Sequence, residues 1–263
     1  MATYLDGILL AHRVRSAADQ RDLADLRRQA EAASPARGFA TALRAADGLA
    51  VIAEIKRRSP SKGDLFADLD PATLAGRYAE GGATCLSVLT DDEHFGGSRA
   101  DLEAARAACR LPVLRKDFTV SERDVLDARI MGADCVLLIA AALDDDELAA
   151  FHRTATDVGL DALVEVHDEP ELDRAVAVGA TLVGVNQRDL VTFEVDHDRA
   201  LRMATKFPDG IVSVAESGVR DPADAAALRA AGYDAVLVGE SLVTAGDPAA
   251  AVAALRSAGA AGS

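Results

Sequence analysis

Residues 126–141 read LDARIMGADCVLLIAA. The stretch holds a helix end, a glycine turn at Gly132-Ala133 and the continuous apolar run CVLLIAA (135–141). Glycine just past a helix end takes the left-handed conformation without a Cβ penalty. A run that is apolar on both faces suits a strand covered on both sides, as in a parallel sheet. The unit recurs loosely along the chain. Further runs stand at AVIAEIK (50–56), TCLSVLT (84–90), PVLRKDF (112–118), ALVEV (162–166), LVGVNQ (182–187), IVSVAES (211–217) and AVLVGE (235–240). Most follow a glycine turn: Gly82-Ala83, Gly159-Leu160, Gly179-Ala180, Gly210 and Gly232-Tyr233. Longer Ala- and Leu-rich stretches separate them. Asp70-Pro71 and Asp221-Pro222 pair an N-cap with proline at the first helical position, and Ser121 and Asp144 are further caps.

Strands alternating with helices imply a parallel sheet with helices outside. Eight such units in 263 residues predict an α/β fold, a closed (β/α)8 TIM barrel. An open doubly wound sheet is the alternative, but the chain lacks its glycine-rich dinucleotide loop. Residues 1–48 read as an N-terminal helical extension, with Leu5, Ile8 and Leu9, then Leu23 and Leu26, at helical spacing. It is expected to cap the barrel, or to cover its site. Residues 49–263 form the barrel, and the whole is one domain.

The composition narrows the function. Half the residues are hydrophobic, which excludes wholesale disorder. The 28 basic and 43 acidic residues give a net charge of −15, so nucleic acid and anionic membranes repel the chain. An anionic ligand therefore needs a local cluster of positive groups. Cys85, Cys109 and Cys135 form no CxxC pair and read as buried, reduced thiols. The start, MATYLDGILLAHR, is not a signal peptide. The longest uncharged run, between Arg174 and Arg188, falls short of the ~20 apolar residues of a membrane span. A cytoplasmic protein is expected. His12, His94, His152, His167 and His197 are scattered, without HxH or HExxH spacing, so no metal site is expected. The run Asp144–Glu147 reads as favourable charge at a helix start.

The informative feature is a polar residue at the C-terminal end of otherwise apolar strands. Residues i and i+2 of a strand share a face. Ile52, Glu54 and Lys56 therefore face together, as do Leu114, Lys116 and Phe118, and Leu163 and Glu165. Asn186 aligns with Arg188, and the seventh run ends Glu216-Ser217-Gly218. Burying an unpaired charge costs several kcal/mol, so a core built for stability alone would not hold this set. Barrel enzymes keep their chemistry at this end. A structural ion-pair network sealing the barrel is the alternative. Ser217-Gly218 and Gly239-Glu240, after the last two strands, read as a phosphate site, where glycines let backbone N–H groups approach an anion. The Glu240 side chain would have to point away, leaving only its backbone N–H.

These residues resemble the indole-3-glycerol phosphate synthase family over about residues 4–257. The motifs are VIAEIKRRSPSKG (51–63), SVLTDDEHFGGS (87–98), LPVLRKDF (111–118), ALVEVHDEPEL (162–172), GVNQRDL (184–190), VAESGV (214–219) and VLVGESLV (236–243). The resemblance implies a lyase of tryptophan biosynthesis that uses no metal or organic cofactor. It would convert a small phosphorylated substrate, 1-(2-carboxyphenylamino)-1-deoxyribulose 5-phosphate, to indole-3-glycerol phosphate, carbon dioxide and water. It further implies that Lys116 is the general acid toward the ribulose carbonyl and that Lys56 binds the substrate carboxylate. Glu165 and Glu54 would be the acid/base pair for the later steps, and Asn186 and Glu216 would orient the chain hydroxyls and the lysines. Arg188 would help hold the anthranilate carboxylate. Phe95, Phe118, Leu137 and Leu190, with Pro60 nearby, would form the slot for the ring. Ser59, Ser217, Gly218, Gly239 and the Glu240 backbone would hold the phosphate. Lys56 beside Lys116 is expected to lower the pKa of the acid, and an apolar pocket to raise that of a carboxylic acid. A monomer or weak homo-oligomer is expected.

Phosphoribosylanthranilate isomerase uses a similar barrel but calls for Cys at the end of the first strand and Asp at the end of the sixth. Glu54-Ile55-Lys56 and Asn186 stand there instead. A phosphate-binding barrel without catalysis would have lost Lys116 or Glu165, and both are present.

Overall fold

The computed structural model describes residues 4–59, 63–66, 68–189 and 191–260. Eight parallel strands close into a barrel: β1 (Ala50–Ile55), β2 (Cys85–Leu89), β3 (Val113–Lys116), β4 (Cys135–Ile139), β5 (Asp161–Val166), β6 (Leu182–Asn186), β7 (Val212–Glu216) and β8 (Ala235–Val238). Each pairs with its sequence neighbours, and β1 pairs with β8. Closure rules out the open sheet. All the strands but β5, which ends with its run at Val166, stop slightly before their apolar runs do, because the last residues turn into the loops above the barrel.

The predicted punctuation is where the structure turns. Gly132 and the matching glycines at 82, 159, 179, 210 and 232 all have positive φ. Asp70, Ser121, Asp144 and Asp221 each accept a backbone N–H at a helix start. Asp144 and Glu147 complete a reciprocal capping box. One connection departs from the pattern. After β6 the helix shrinks to Arg199–Met203, and residues 187–189 and 191–198 lie in loops.

Two apolar layers follow from the two faces of each strand. Outward residues such as Val51, Leu86, Val136, Val164 and Val236 pack under the helices. Inward residues such as Ile52, Cys85, Leu114, Leu163, Val214 and Leu237 fill the barrel. Cys85 and Cys135 are buried there as free thiols, whereas Cys109 at the end of a surface helix is only half-buried. Among the described residues no helix is long and apolar enough to cross a membrane.

The segment before β1 touches both ends of the barrel. Helix α1 (Tyr4–Ala18) reaches the C-terminal end, where Leu5 and Ile8 line the central cavity and His12 Nε2 meets Asp91 Oδ2 at 3.0 Å. Arg13 donates to both carboxylate oxygens of Glu147 and to the Ala142 carbonyl. Helix α2 (Leu23–Ala32) buries Leu26 and leaves Leu23 exposed. Helix α3 (Phe39–Arg44) closes the opposite end, with Phe39, Ala40 and Leu43 packed into the inner layer. Its Ala40 N–H donates to Asp161 at 2.9 Å, at the start of β5. Both expected roles of the extension, capping and covering, are therefore met by different helices.

Phe39 is fully buried in the layer farthest from the charged strand ends. Phe39→Ala should destabilise the fold by about 3–5 kcal/mol, read as a lower urea midpoint, with KM unchanged.

Candidate active site

Period-two alternation carries the inner faces upward into a polar layer. Above Ala50 and Ile52 stands Glu54, above Leu114 stands Lys116, above Leu163 stands Glu165, and above Val212 and Val214 stands Glu216. The register sets Asn186 opposite Glu216, and Ile139 opposite Glu165. These side chains line a cavity of about 580 Å³ at the C-terminal end of the barrel.

At its floor the Lys116 Nζ donates to Glu165 Oε2 at 2.8 Å and to Glu216 Oε2 at 3.0 Å. Both carboxylates are about 1% exposed. Asn186 Nδ2 donates to the other Glu165 oxygen at 2.9 Å. Lys56 Nζ pairs with Glu54 Oε1 at 2.5 Å. The ammonium groups are thus not the bare cationic cluster expected for an anionic ligand. Each is already faced by carboxylates, because a buried charge without a counter-ion costs several kcal/mol.

The same pairing reverses the expected shift on Lys116. Burial pushes its pKa down, but Glu165, Glu216 and Glu54 outweigh that and hold it above the ordinary lysine value. Lys56 does not set the shift. For Glu165, burial pushes up, yet the Lys116 ammonium, with His167 when it is protonated and the Asn186 hydrogen bond, prevails and holds it below the usual carboxylate range. The raised carboxyl is Glu216. Burial, helped by the Glu165 and Glu54 charges and opposed by Lys116, pushes it up to about 7. Its Oε1 is buried and accepts no hydrogen bond from the described residues. Room for it exists only because Gly184 stands on the inward face of β6, where a Cβ would collide with that oxygen. Gly239 gives Glu54 the same room.

The apolar wall is built from Phe95, Phe118 and Leu137. The two rings lie 6.3 Å apart at 41°. Arg188 reaches the cavity, with its backbone N–H on Asn186 Oδ1 and its guanidinium on the Phe193 carbonyl. Ser59, Ser217, Gly218, Gly239 and Glu240 also line the cavity. Ser217 is held at φ 64° by the loop, and the Gln187 amide donates to its carbonyl at 2.7 Å. Gly218, at φ 76°, has no room for a side chain against Val195. Glu240 opens the short helix Glu240–Val243. Every described residue of the predicted site therefore faces one cavity. Pro60 and Leu190 lie outside the described residues.

The sequence reading missed part of this wall. Leu5 and Ile8 carry a signal, helical spacing, but nothing local says that they reach the site. Phe193, Val195 and His197 come from the loop after β6, and no periodicity announces them. The histidines are also less scattered than expected. His12 converges with Asp91 and Asp117 in a buried cluster of cation-binding dimensions. Its carboxylates are already engaged: Asp117 accepts from Arg115 and Thr90, and Asp91 from His12 and the His94 N–H. The cluster reads as a latch between α1 and the barrel mouth.

The sequence pattern of the indole-3-glycerol phosphate synthase family matches residues 8–255. The chain belongs to that family. An indole-3-glycerol phosphate synthase of a Nocardioides species is 57% identical over 230 residues, 88% of each chain. One from Mycolicibacterium gilvum is 50% identical over 98% of this chain and 95% of its own length. Indole-3-glycerol phosphate synthase 2 of Streptomyces coelicolor is 56% identical, over 87% of this chain and 88% of its own. Among solved structures, a thiamine phosphate pyrophosphorylase from Pyrococcus furiosus superposes with a TM-score of 0.59 at 17% identity, covering 80% of this chain and 94% of that one. That likeness concerns the barrel alone.

Glu216 gives a stability signature. Its folded pKa lies above its ordinary 4.5, so its contribution is fully present below that value and is lost as pH rises toward about 7. Glu216→Gln should match the parent in thermal stability near pH 4.5 and exceed it at pH 8. Thermal melts across that range measure it.

Proposed function

We propose that this cavity closes the indole ring of 1-(2-carboxyphenylamino)-1-deoxyribulose 5-phosphate, releasing carbon dioxide and water to leave indole-3-glycerol phosphate. The observation that carries the reading is the Lys116 ammonium, held between Glu165 and Glu216 below an aromatic wall. Ring closure must bring together two ends of one flexible molecule. Holding the phosphate at one side and the ring at the other removes that freedom before reaction. Ser59, Ser217, Gly218, Gly239 and the backbone of Glu240 are the groups we assign to the phosphate. Phe95, Phe118 and Leu137 are assigned to the ring, with Pro60 and Leu190 expected beside them.

Lys116 then protonates the ribulose carbonyl as the aromatic carbon attacks it. A lowered pKa is not needed for this. The oxygen gains charge as the bond forms and becomes far more basic than an amine, so a fully protonated lysine is a competent donor at that moment. Lys56 and Arg188 take the substrate carboxylate, and that contact draws Lys56 from Glu54. Glu54 and Glu165 act as the acid/base pair in loss of hydroxide and in removal of the rearomatising proton. Asn186 holds Glu165, and Glu216 holds Lys116, so both orient the reacting groups. The reading goes with a cytoplasmic enzyme, one catalytic unit of extension and barrel, acting as a monomer or weak homo-oligomer. The buried free thiols of Cys85 and Cys135 go with a reducing compartment.

Indole fluorescence should rise when the protein meets this substrate, with EDTA present as without it. A folded sample that binds the substrate but forms no indole would support the non-catalytic barrel instead. Lys116→Ala should lower kcat by at least about a hundredfold while leaving the melting profile two-state. Glu165→Gln should lower kcat by about a hundredfold with a much smaller change in KM, because its group acts in the transition state. Normal turnover with poor binding would contradict that role.

A further inference from the structure

Behind Glu165 stands a side chain with no part in the steps assigned to Lys116, Glu54 and Glu165. His167 follows β5 with its ring nearly buried and does not line the cavity. Its backbone N–H donates to Glu171 Oε2 at 2.7 Å, and its Nδ1 lies 3.1 Å from the same oxygen. That anchor fixes the ring, so Nδ1–H donates to Glu171 and Nε2 points the other way. Nε2 is buried without a hydrogen-bond partner among the described residues. It faces Glu165 Oε1 across 3.9 Å, the oxygen that already accepts from Asn186.

We propose that His167 is a positioning residue for ring closure, holding Glu165 ionised and in place through an imidazolium anchored by Glu171. The proposal rests on the acid/base reading of Glu165. A neutral ring with its proton on Nδ1 would aim a lone pair at a carboxylate oxygen, which is repulsive. The protonated ring turns the same geometry into attraction. Glu165 on β5 and Glu171 on Glu169–Ala177 both favour the cation, and Arg199 on Arg199–Met203, itself 4.0 Å from Asp189, opposes it. Burial lowers the His167 pKa, and the two carboxylates outweigh it. The arrangement matters when Lys116 gives up its proton to the substrate oxygen. Glu165 then loses the ammonium on Oε2, and its negative charge would be stranded in the barrel. The imidazolium on the Oε1 side remains. A movement of about 1 Å brings it to hydrogen-bond distance. Glu165 therefore stays a carboxylate, able to take the proton that rearomatisation releases.

Titration of the His167 ring by NMR tests the coupling directly, with His167→Gln identifying the resonance. The His167 pKa should fall by about one unit in Glu165→Gln and again in Glu171→Gln, each of which removes one neighbouring charge. In turnover, His167→Gln should cut kcat about tenfold, leave KM nearly unchanged, and move the acid limb of the kcat profile upward by about one pH unit. Glu171→Gln, which keeps the ring's hydrogen bond, should retain kcat at low pH and lose it at a lower pH than the parent. An identical His167 titration in the parent and Glu165→Gln would overturn the proposal. So would a His167→Gln enzyme with an unmoved pH profile, whatever its stability. Should His167→Gln fail to fold, Glu171→Gln carries the same decision. Full activity in Glu165→Gln would instead remove the role assigned to Glu165, and the NMR coupling would still read independently.

Discussion

A lysine ammonium buried at the end of a closed barrel must have counter-charges, and much of the upper barrel follows from that requirement. Lys116 is held by Glu165 and Glu216, each on a strand of its own. Placing two carboxylates there creates the next demand, since they repel one another and lie in apolar surroundings. One stays ionised, with Asn186 on one oxygen and Lys116 on the other. The second is driven toward its neutral form and left with an unused oxygen. The layer is therefore not symmetric about Lys116. Its two acids differ in charge tendency through their neighbours alone, which is how similar side chains come to hold different roles.

The strands accommodate this layer by what they leave out. Gly184 and Gly239 sit on inward faces where a side chain would otherwise fill the barrel, and the freed space holds the carboxylates of Glu216 and Glu54. Below that level the interior returns to Ile, Leu, Val and Cys. Reactive groups thus rest on a packed apolar floor that limits their movement. The glycines in the loops above serve differently, as positive-φ turns at 218 or as close approaches beside the cavity.

Much of this was legible in the sequence, and for identifiable reasons. The fold could be read because each strand is a local apolar run and each helix ends on a glycine, as at Gly132. Glu54, Lys116, Glu165 and Glu216 could be found because period-two alternation assigns a face without tertiary knowledge. What could not be read is which charges meet. Lys56 and Lys116 appear as neighbouring cations in the string of strand ends, yet the barrel's register gives each its own carboxylates, and the sign of the Lys116 shift reverses. The loop after β6 was equally opaque. Phe193 and Val195 have no pattern of their own and reach the cavity only because Arg188 bonds the Phe193 carbonyl and the short bridge from Arg188 to Val195 folds that loop inward.

The segment before β1 holds its place through distant partners. His12 needs Asp91, Arg13 needs Glu147, Arg37 needs Asp134 and Ala40 needs Asp161. During synthesis these first helices leave the ribosome before any of their docking partners exist. The last of those partners, Asp161, opens β5, so the segment cannot complete its ties until four strands and the start of the fifth exist, when Glu54, Lys56 and Lys116 are already made but Asn186 and Glu216 are not. A segment that precedes the barrel in the chain thus depends on partners spread over its first five strands, and its docking contributes to both ends of the chamber.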